Sequence, residues 1–147
     1  MNEWLEREEL LIGSENIEKL NKSTVAVFGC GGVGSYALEA LVRAGVGNIV
    51  LIDKDIVDIT NINRQLIADT TTVGQDKVEV AKQRALRINP NINIEIHKCF
   101  YDENHTELIK PKYDYIVDAI DSVKSKISLI QEAHNKNVKI ISAMGMG

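Results

Sequence analysis

The sequence predicts a doubly wound, mostly parallel α/β sheet with helices on both faces, and three observations carry that reading. Short runs rich in Val, Ile and Leu alternate with longer amphipathic stretches, the pattern of buried parallel strands joined by crossover helices. A glycine-rich turn, Gly29-Cys30-Gly31-Gly32-Val33-Gly34, follows the first such run and opens the first long helix. An acid, Asp53, closes the second run, about 20 residues further on, where sheets of this kind place a carboxylate against a bound ribose.

Residues 1–22 read as an acidic helical segment with apolar points at Leu10, Leu11, Ile17 and Leu20 and a break at Gly13-Ser14. Thr24–Phe28 is β-branched and ended by glycines, hence a buried strand. A helix is predicted over Gly34–Ala44, stopped by Gly45 and Gly47, and a second strand over Asn48–Asp53. Residues 54–74 are loop-like with short helical turns. Val78, Ala81, Ala85 and Ile88 recur at helical spacing between Asp76 and the closing Asn89-Pro90. Ile92, Ile94 and Ile96 alternate with polar residues as a third strand, and Tyr115–Ile120 is a fourth. Ser122 can cap the helix that follows, with Ile127, Ile130 and Ala133 as its apolar face, before a fifth strand over Val138–Ser142. Two units result: an N-terminal segment, 1–22, and a nucleotide-binding domain of Rossmann-like layout, 23–147. The sequence stops at Gly145-Met146-Gly147, where a loop should leave the C-terminal end of a strand, so a further C-terminal part is expected.

Composition narrows the function. No apolar run approaches the ~20 residues of a membrane helix, and the acidic start lacks the basic and apolar regions of a signal peptide. Two cysteines, Cys30 and Cys99, make neither a disulfide framework nor a zinc pair, which agrees with a reducing compartment and a cytoplasmic protein. A net charge of −4 offers no electrostatic footprint for nucleic acid. The one locally basic stretch, Lys124, Lys126, Lys136 and Lys139 against Glu132, is the pattern of a solvated face as much as of a binding surface.

The glycine turn carries the first chemistry. Gly29, Gly31 and Gly34 satisfy the dinucleotide spacing, with Gly32 between them. Bare backbone there lets N–H groups approach a phosphate at the positive end of a helix dipole. The bland alternative, a turn that merely lets helix and strand pack closely, is weakened by Asp53 standing where a ribose-binding acid belongs. The pattern alone does not separate NAD from ATP.

Downstream residues make that choice. Asp55, Asn61, Arg64, Gln65 and Lys77 follow between the second strand and the next helix. Hydride transfer develops no charge at phosphate, whereas attack on an α-phosphate expels pyrophosphate and needs cations. Arg64 offers a bidentate fork for phosphate oxygens and Lys77 a point charge in the first turn of its helix. Each taken alone is more often a surface residue; together they favour ATP. Asp118 and Asp121 flank the end of the fourth strand. Asp121 is the candidate Mg²⁺ ligand, with phosphates completing the shell, and Asp118 is read as a cap or dipole partner of the next helix.

These residues together resemble the ThiF/MoeB adenylating family, relatives of the enzymes that activate ubiquitin-like proteins, across Arg7 to Gly147. The family's glycine loop matches Gly29–Gly34, its ribose acid Asp53, its Asn-x-x-Arg-Gln motif Asn61, Arg64 and Gln65, its phosphate lysine Lys77 and its magnesium aspartate Asp121. The resemblance further implies a homodimer in which an N-terminal arginine, here Arg7, reaches into the neighbouring ATP site. Asn63 and the Asp121-Ser122 pair look most like the tRNA threonylcarbamoyladenosine dehydratase branch. That branch would activate the threonyl carboxylate of a modified tRNA adenosine with ATP and let the neighbouring carbamoyl group close on it, an intramolecular step that asks for no protein nucleophile. Cys30 is then a small filler and Cys99 a packed strand residue. Two alternatives stay open: an adenylyltransferase acting on a ubiquitin-like sulfur-carrier partner, and, from another class, a NAD-dependent oxidoreductase domain.

Overall fold

The computed structural model describes residues 3–144. After a 3-10 turn at Glu3–Leu5 come helix α1 (Glu6–Ile12), α2 (Ser14–Lys22), strand β1 (Thr24–Phe28), α3 (Gly34–Arg43), β2 (Asn48–Ile52), α4 (Lys77–Ile88), β3 (Asn93–His97), β4 (Tyr115–Asp118), α5 (Val123–Asn135) and β5 (Ile140–Ser142). The five strands form one sheet in the order β3-β2-β1-β4-β5, every pairing parallel. The predicted fold class stands. The glycines at 145 and 147, read as a departing loop, lie outside the described residues.

Register sets up the functional edge. Phe28 pairs with Ile52 and Asp118, Ile52 with His97, and Asp118 with Ser142. The C-terminal ends of all five strands therefore lie level, and the loops that leave them rise from one edge, where ligands of open parallel sheets bind.

Alternation along β1 divides the core. Val25 and Val27 pack with Leu38, Val42, Val78, Ala81 and Ala85 on the side of α3 and α4. Ala26 and Phe28 face the other way, toward Ile116, Leu129 and Ala133 of β4 and α5. Burial on both faces is what a Val/Ile-rich parallel strand requires. Glu39 of α3 and Arg84 of α4 join those two helices by a two-pronged pair, with Nε–Oε1 2.8 Å and Nη2–Oε2 2.7 Å.

The crossover between β3 and β4 contains only a 3-10 turn, Thr106–Leu108. Tyr101, Ile109 and Tyr113 fill the layer a helix would otherwise occupy, and Tyr101 meets Phe28 edge-to-face at a ring distance of 5.3 Å. Burial pushes the Tyr113 hydroxyl up to about 12.

Several elements differ from expectation. β4 stops at Asp118, two residues short of Ile120; Ala119 N–H still donates to Phe28 O at 2.8 Å as the last rung with β1, and beyond it the chain runs into the turn against the glycine loop. β5 begins at Ile140. On α5 the buried face is Ser125, Lys126, Leu129 and Ala133, while Ile127 is 52% exposed; the charged lysine displaces the apolar residue from the interior because it has a buried partner, described below. The break at Gly13 is real, with φ of 86° between α1 and α2.

Candidate active site

A cavity of about 700 Å³ opens at the C-terminal edge of the sheet, within the size range of small-molecule sites. Its walls come from the loops after β1, β2, β3 and β4 and from the start of α4. Among the predicted site residues, Gly29, Gly31, Gly32, Asp53, Asp55, Arg64, Gln65, Lys77 and Asp121 line it.

The glycine loop shows two different uses of glycine. Gly29 adopts φ of 98°, and a Cβ on it would stand 2.5 Å from the carbonyl oxygen of Ala119; Gly34 lies so close to the Gly29 carbonyl that no side chain fits. Those two are demanded by packing inside the chain. Gly31 and Gly32 are not: added Cβ atoms would make ordinary contacts of 3.6 Å with Gln65 Nε2 and 3.7 Å with Arg64 Cγ. Their bareness is explained by what could approach from the cavity. The first helical bonds of α3 run from Ser35 N–H to Gly31 O and Ala37 N–H to Val33 O, so the amides of Gly31, Gly32 and Val33 precede the ladder, as the first N–H groups of a helix do.

Asp53 braces this loop. One oxygen accepts from Cys30 N–H and the other from Asp55 N–H, both at 2.7 Å. A carboxylate has about four acceptor sites, so each oxygen retains capacity for a ligand hydroxyl. Cys30 is fully buried, and burial, with Asp53 beside it, pushes its thiol up to about 12; it serves as core filler, as expected.

The cations differ in setting. Lys77, at the first position of α4, is 5% exposed, and its Nζ lies 3.8 Å from Asp55 Oδ2. Arg64 is exposed, with Nη1 donating to Thr60 O at 2.9 Å and to Asn63 Oδ1 at 3.0 Å. Asn63, singled out in the sequence as a departure, thus orients the arginine. Gln65 is 7% exposed, and its buried Oε1 has no donor, a polar atom left without a partner beside the cavity. Asp121 is exposed at the rim.

Three predicted residues lie elsewhere. Gly34 is interior to the loop–helix junction. Asn61 is buried and works as a local brace: its Oδ1 accepts from Asp58 N–H at 2.8 Å in a capping box around the 3-10 turn Ile59–Asn61. Arg7 is exposed on α1 and does not line this chain's cavity.

Asp118 is not the cap of α5, a place taken by Ser122, whose Oγ accepts from Ser125 N–H. Asp118 is fully buried and paired with Lys126 Nζ at 2.9 Å. The basic stretch shrinks accordingly: Lys126 is interior, and Lys136 donates to Thr106 O at 2.6 Å and Ile109 O at 3.0 Å. Cys99 lies beyond the end of β3, half-buried against the cavity rather than packed on a strand; burial raises its thiol above the ordinary range. Phe100 and Lys54 were missed by the sequence reading. Lys54 Nζ sits 4.6 Å from the Phe100 ring centre, closing the β2–β3 side of the cavity. Their only signal in sequence is position just after strands that end level.

The residues fit a nucleoside triphosphate: a cradle that side chains would fill, an acid with spare acceptor capacity and two cations share one cavity. For a divalent metal the donor set is thin. Among the described residues no group of three or more His, Cys, Asp or Glu could hold one. A Mg²⁺ ion there would take one carboxylate, that of Asp121, with phosphates and water for the rest.

Comparison with known proteins agrees with this geometry. The ThiF family model matches residues 5–147. The tRNA threonylcarbamoyladenosine dehydratase of Bacillus subtilis is 50% identical over 140 residues, covering 95% of this chain and 55% of that protein. The adenylyltransferase and sulfurtransferase UBA4 of Vanderwaltozyma polyspora is 37% identical over 135 residues, 92% of this chain and 31% of that protein. Among solved structures, the Escherichia coli tRNA threonylcarbamoyladenosine dehydratase TcdA in complex with ATP superposes with a TM-score of 0.93 at 35% identity, covering 100% of this chain and 62% of that one. The chain spans about half the length of the curated dehydratases it matches.

Proposed function

Since this chain belongs to the ThiF family, we propose that it is the nucleotide-binding part of an ATP-dependent, carboxylate-activating enzyme that acts as a tRNA threonylcarbamoyladenosine dehydratase. The observation that carries the reading is the meeting of Lys77 and Arg64 with the two glycines, Gly31 and Gly32, that internal packing does not require. Backbone amides at the head of α3 hold the triphosphate, and Asp53 accepts from the ribose. Lys77 and Arg64 neutralise charge that grows on the phosphates as the carboxylate attacks the α-phosphorus and pyrophosphate departs. Asp121 would hold Mg²⁺, which when bound neutralises and orients the phosphates. No cysteine is needed, in keeping with the buried Cys30.

The same reading makes residues 1–22 an arm and 23–147 the ATP-binding domain. A homodimer, with Arg7 reaching the partner's ATP site, is supported by Leu10 and Leu11, which are 83% and 85% exposed on the same short helix. A cytoplasmic setting is supported by two cysteines kept as free thiols. With Lys126 and Lys136 engaged inside the fold, the surface for tRNA would come from the dimer or from polypeptide beyond this chain.

The similarity to UBA4 favours a second reading, adenylation of a ubiquitin-like sulfur carrier by the same pocket. Nucleoside mass spectrometry of tRNA from cells lacking the full-length gene separates the two. Loss of the cyclic modification supports the dehydratase; its persistence supports the sulfur-carrier activity. Titration of ATP against NAD disposes of the oxidoreductase alternative if only ATP saturates the site.

A further inference from the structure

Lys126 closes a ring that no recognised site motif explains. Its buried Nζ donates to Asp118 Oδ2 and to Ala143 O, both at 2.9 Å. The ring is completed by Ala143 N–H, which donates to the backbone oxygen of Asp118 at 2.8 Å. The other carboxylate oxygen of Asp118 accepts from Ile120 N–H at 3.1 Å. One fully buried carboxylate is thus compensated by a lysine of α5 on one side and by the amide of the following turn on the other.

That turn, Ala119–Ser122, forms a wall of the cavity and presents Asp121. It is also wedged against the glycine loop, with the Ala119 carbonyl filling the space a Cβ on Gly29 would need. A buried charge without a partner is strongly unfavourable, so Asp118 can hold Ile120 in this geometry only while Lys126 is in place. Lys126 also donates to the Ala143 carbonyl, where the chain leaves β5.

We propose that Lys126 is a positioning residue: its ammonium locks the Ala119–Ser122 turn, and with it Asp121, into place and ties that turn to the segment leaving β5. The inference rests on Asp121 being the metal-facing carboxylate of the proposed ATP site.

The test compares the full-length enzyme with Lys126→Met, Lys126→Arg and the charge-free double variant Asp118→Asn/Lys126→Met. Two measurements are made on each: amide exchange at Ile120 and Ala143 without nucleotide, and ATP affinity by calorimetry with Mg²⁺ or with EDTA. For Lys126→Met we expect faster exchange at both amides and Mg-ATP binding weakened about 10- to 100-fold, the range typical of lost second-layer support for a metal ligand. ATP affinity in EDTA should stay near that of the parent, and Lys126→Arg should recover part of the loss. Should Lys126→Met fail to fold, the double variant decides through exchange at Ala143 and Mg-ATP affinity. It buries no unpaired charge, and the side-chain oxygen that Asp118→Asn retains can still accept from Ile120 N–H, while the link from residue 126 to Ala143 is lost. Parent-like exchange and parent-like Mg-ATP affinity in a folded Lys126→Met or double variant would overturn the proposal. Failure of the parent enzyme to bind ATP at all would instead remove the proposed function.

Discussion

The buried ammonium of Lys77 and the exposed carboxylate of Asp55 stand 3.8 Å apart, and the same two residues are tied through the backbone, Lys77 N–H donating to Asp55 O at 3.0 Å. The side-chain separation exceeds a hydrogen bond of 2.7–3.2 Å. Lys77 is thus held at the cavity without spending its donors on Asp55, which leaves them for a phosphate. Lys77→Ala should leave the circular dichroism of the enzyme unchanged and lower ATP-dependent turnover by about 10²–10³-fold, the effect of one lost donor to developing charge. Arg64→Ala should act alike with little change in stability, since its present partners are one carbonyl and a surface amide. Wild-type turnover in either variant would remove these roles.

Asp53 braces the glycine loop through both oxygens and, in the proposed site, also accepts from the ribose; its variants separate the two. Asp53→Ala strands the amides of Cys30 and Asp55 and should destabilise the protein by about 1–3 kcal/mol as well as weaken ATP. Asp53→Asn keeps one acceptor, so its unfolding midpoint should lie between those of Ala and the parent. Urea denaturation beside ATP titration checks both, and equal ATP affinity in all three proteins would exclude a ribose contact.

The two thiols should react unequally. Cys30 is fully buried with its thiol pushed up to about 12, so iodoacetamide should modify it only after unfolding. Cys99, half-buried on the cavity wall, should label slowly in the native protein and more slowly still with saturating ATP. Peptide mass mapping reads the outcome; a Cys99 rate indifferent to nucleotide would put the base and ribose elsewhere.

Glu39 provides a pH test of the packing between α3 and α4. The Arg84 guanidinium holds its carboxyl below the ordinary value of 4.5. A group depressed in the folded state stabilises fully above its unfolded pKa and loses that contribution as pH falls through the folded one. Glu39→Gln should therefore cost about 1 kcal/mol at pH 7 and progressively less below about pH 4. A deficit that stays constant down to pH 3 would show that the pair contributes shape rather than charge.

The strands, most helix limits and the glycine loop were legible in sequence because each is dictated locally: β-branched runs, glycine stops and 3.6-residue spacing act over a few neighbours. Gly31, Gly32 and Asp53 were legible for the same reason, since they follow directly on β1 and β2; Arg64 and Lys77 were legible from residue type and the family resemblance, and all five line the cavity. Sheet order was not, nor was the level register of His97, Ile52, Phe28, Asp118 and Ser142 that gathers four loops around one cavity. Burial of a charge was equally hidden. Lys126 reads as a solvated lysine and Ile127 as core, and the reverse holds because Asp118, eight residues earlier, is enclosed by the sheet and needs a cation. Asn61 likewise turned inward to cap its own turn. The sequence alone determined which segments are strands and helices and where a phosphate could lie. Only the tertiary structure decided which polar groups line the cavity and which hold the frame, because desolvation and pairing depend on neighbours far apart along the chain.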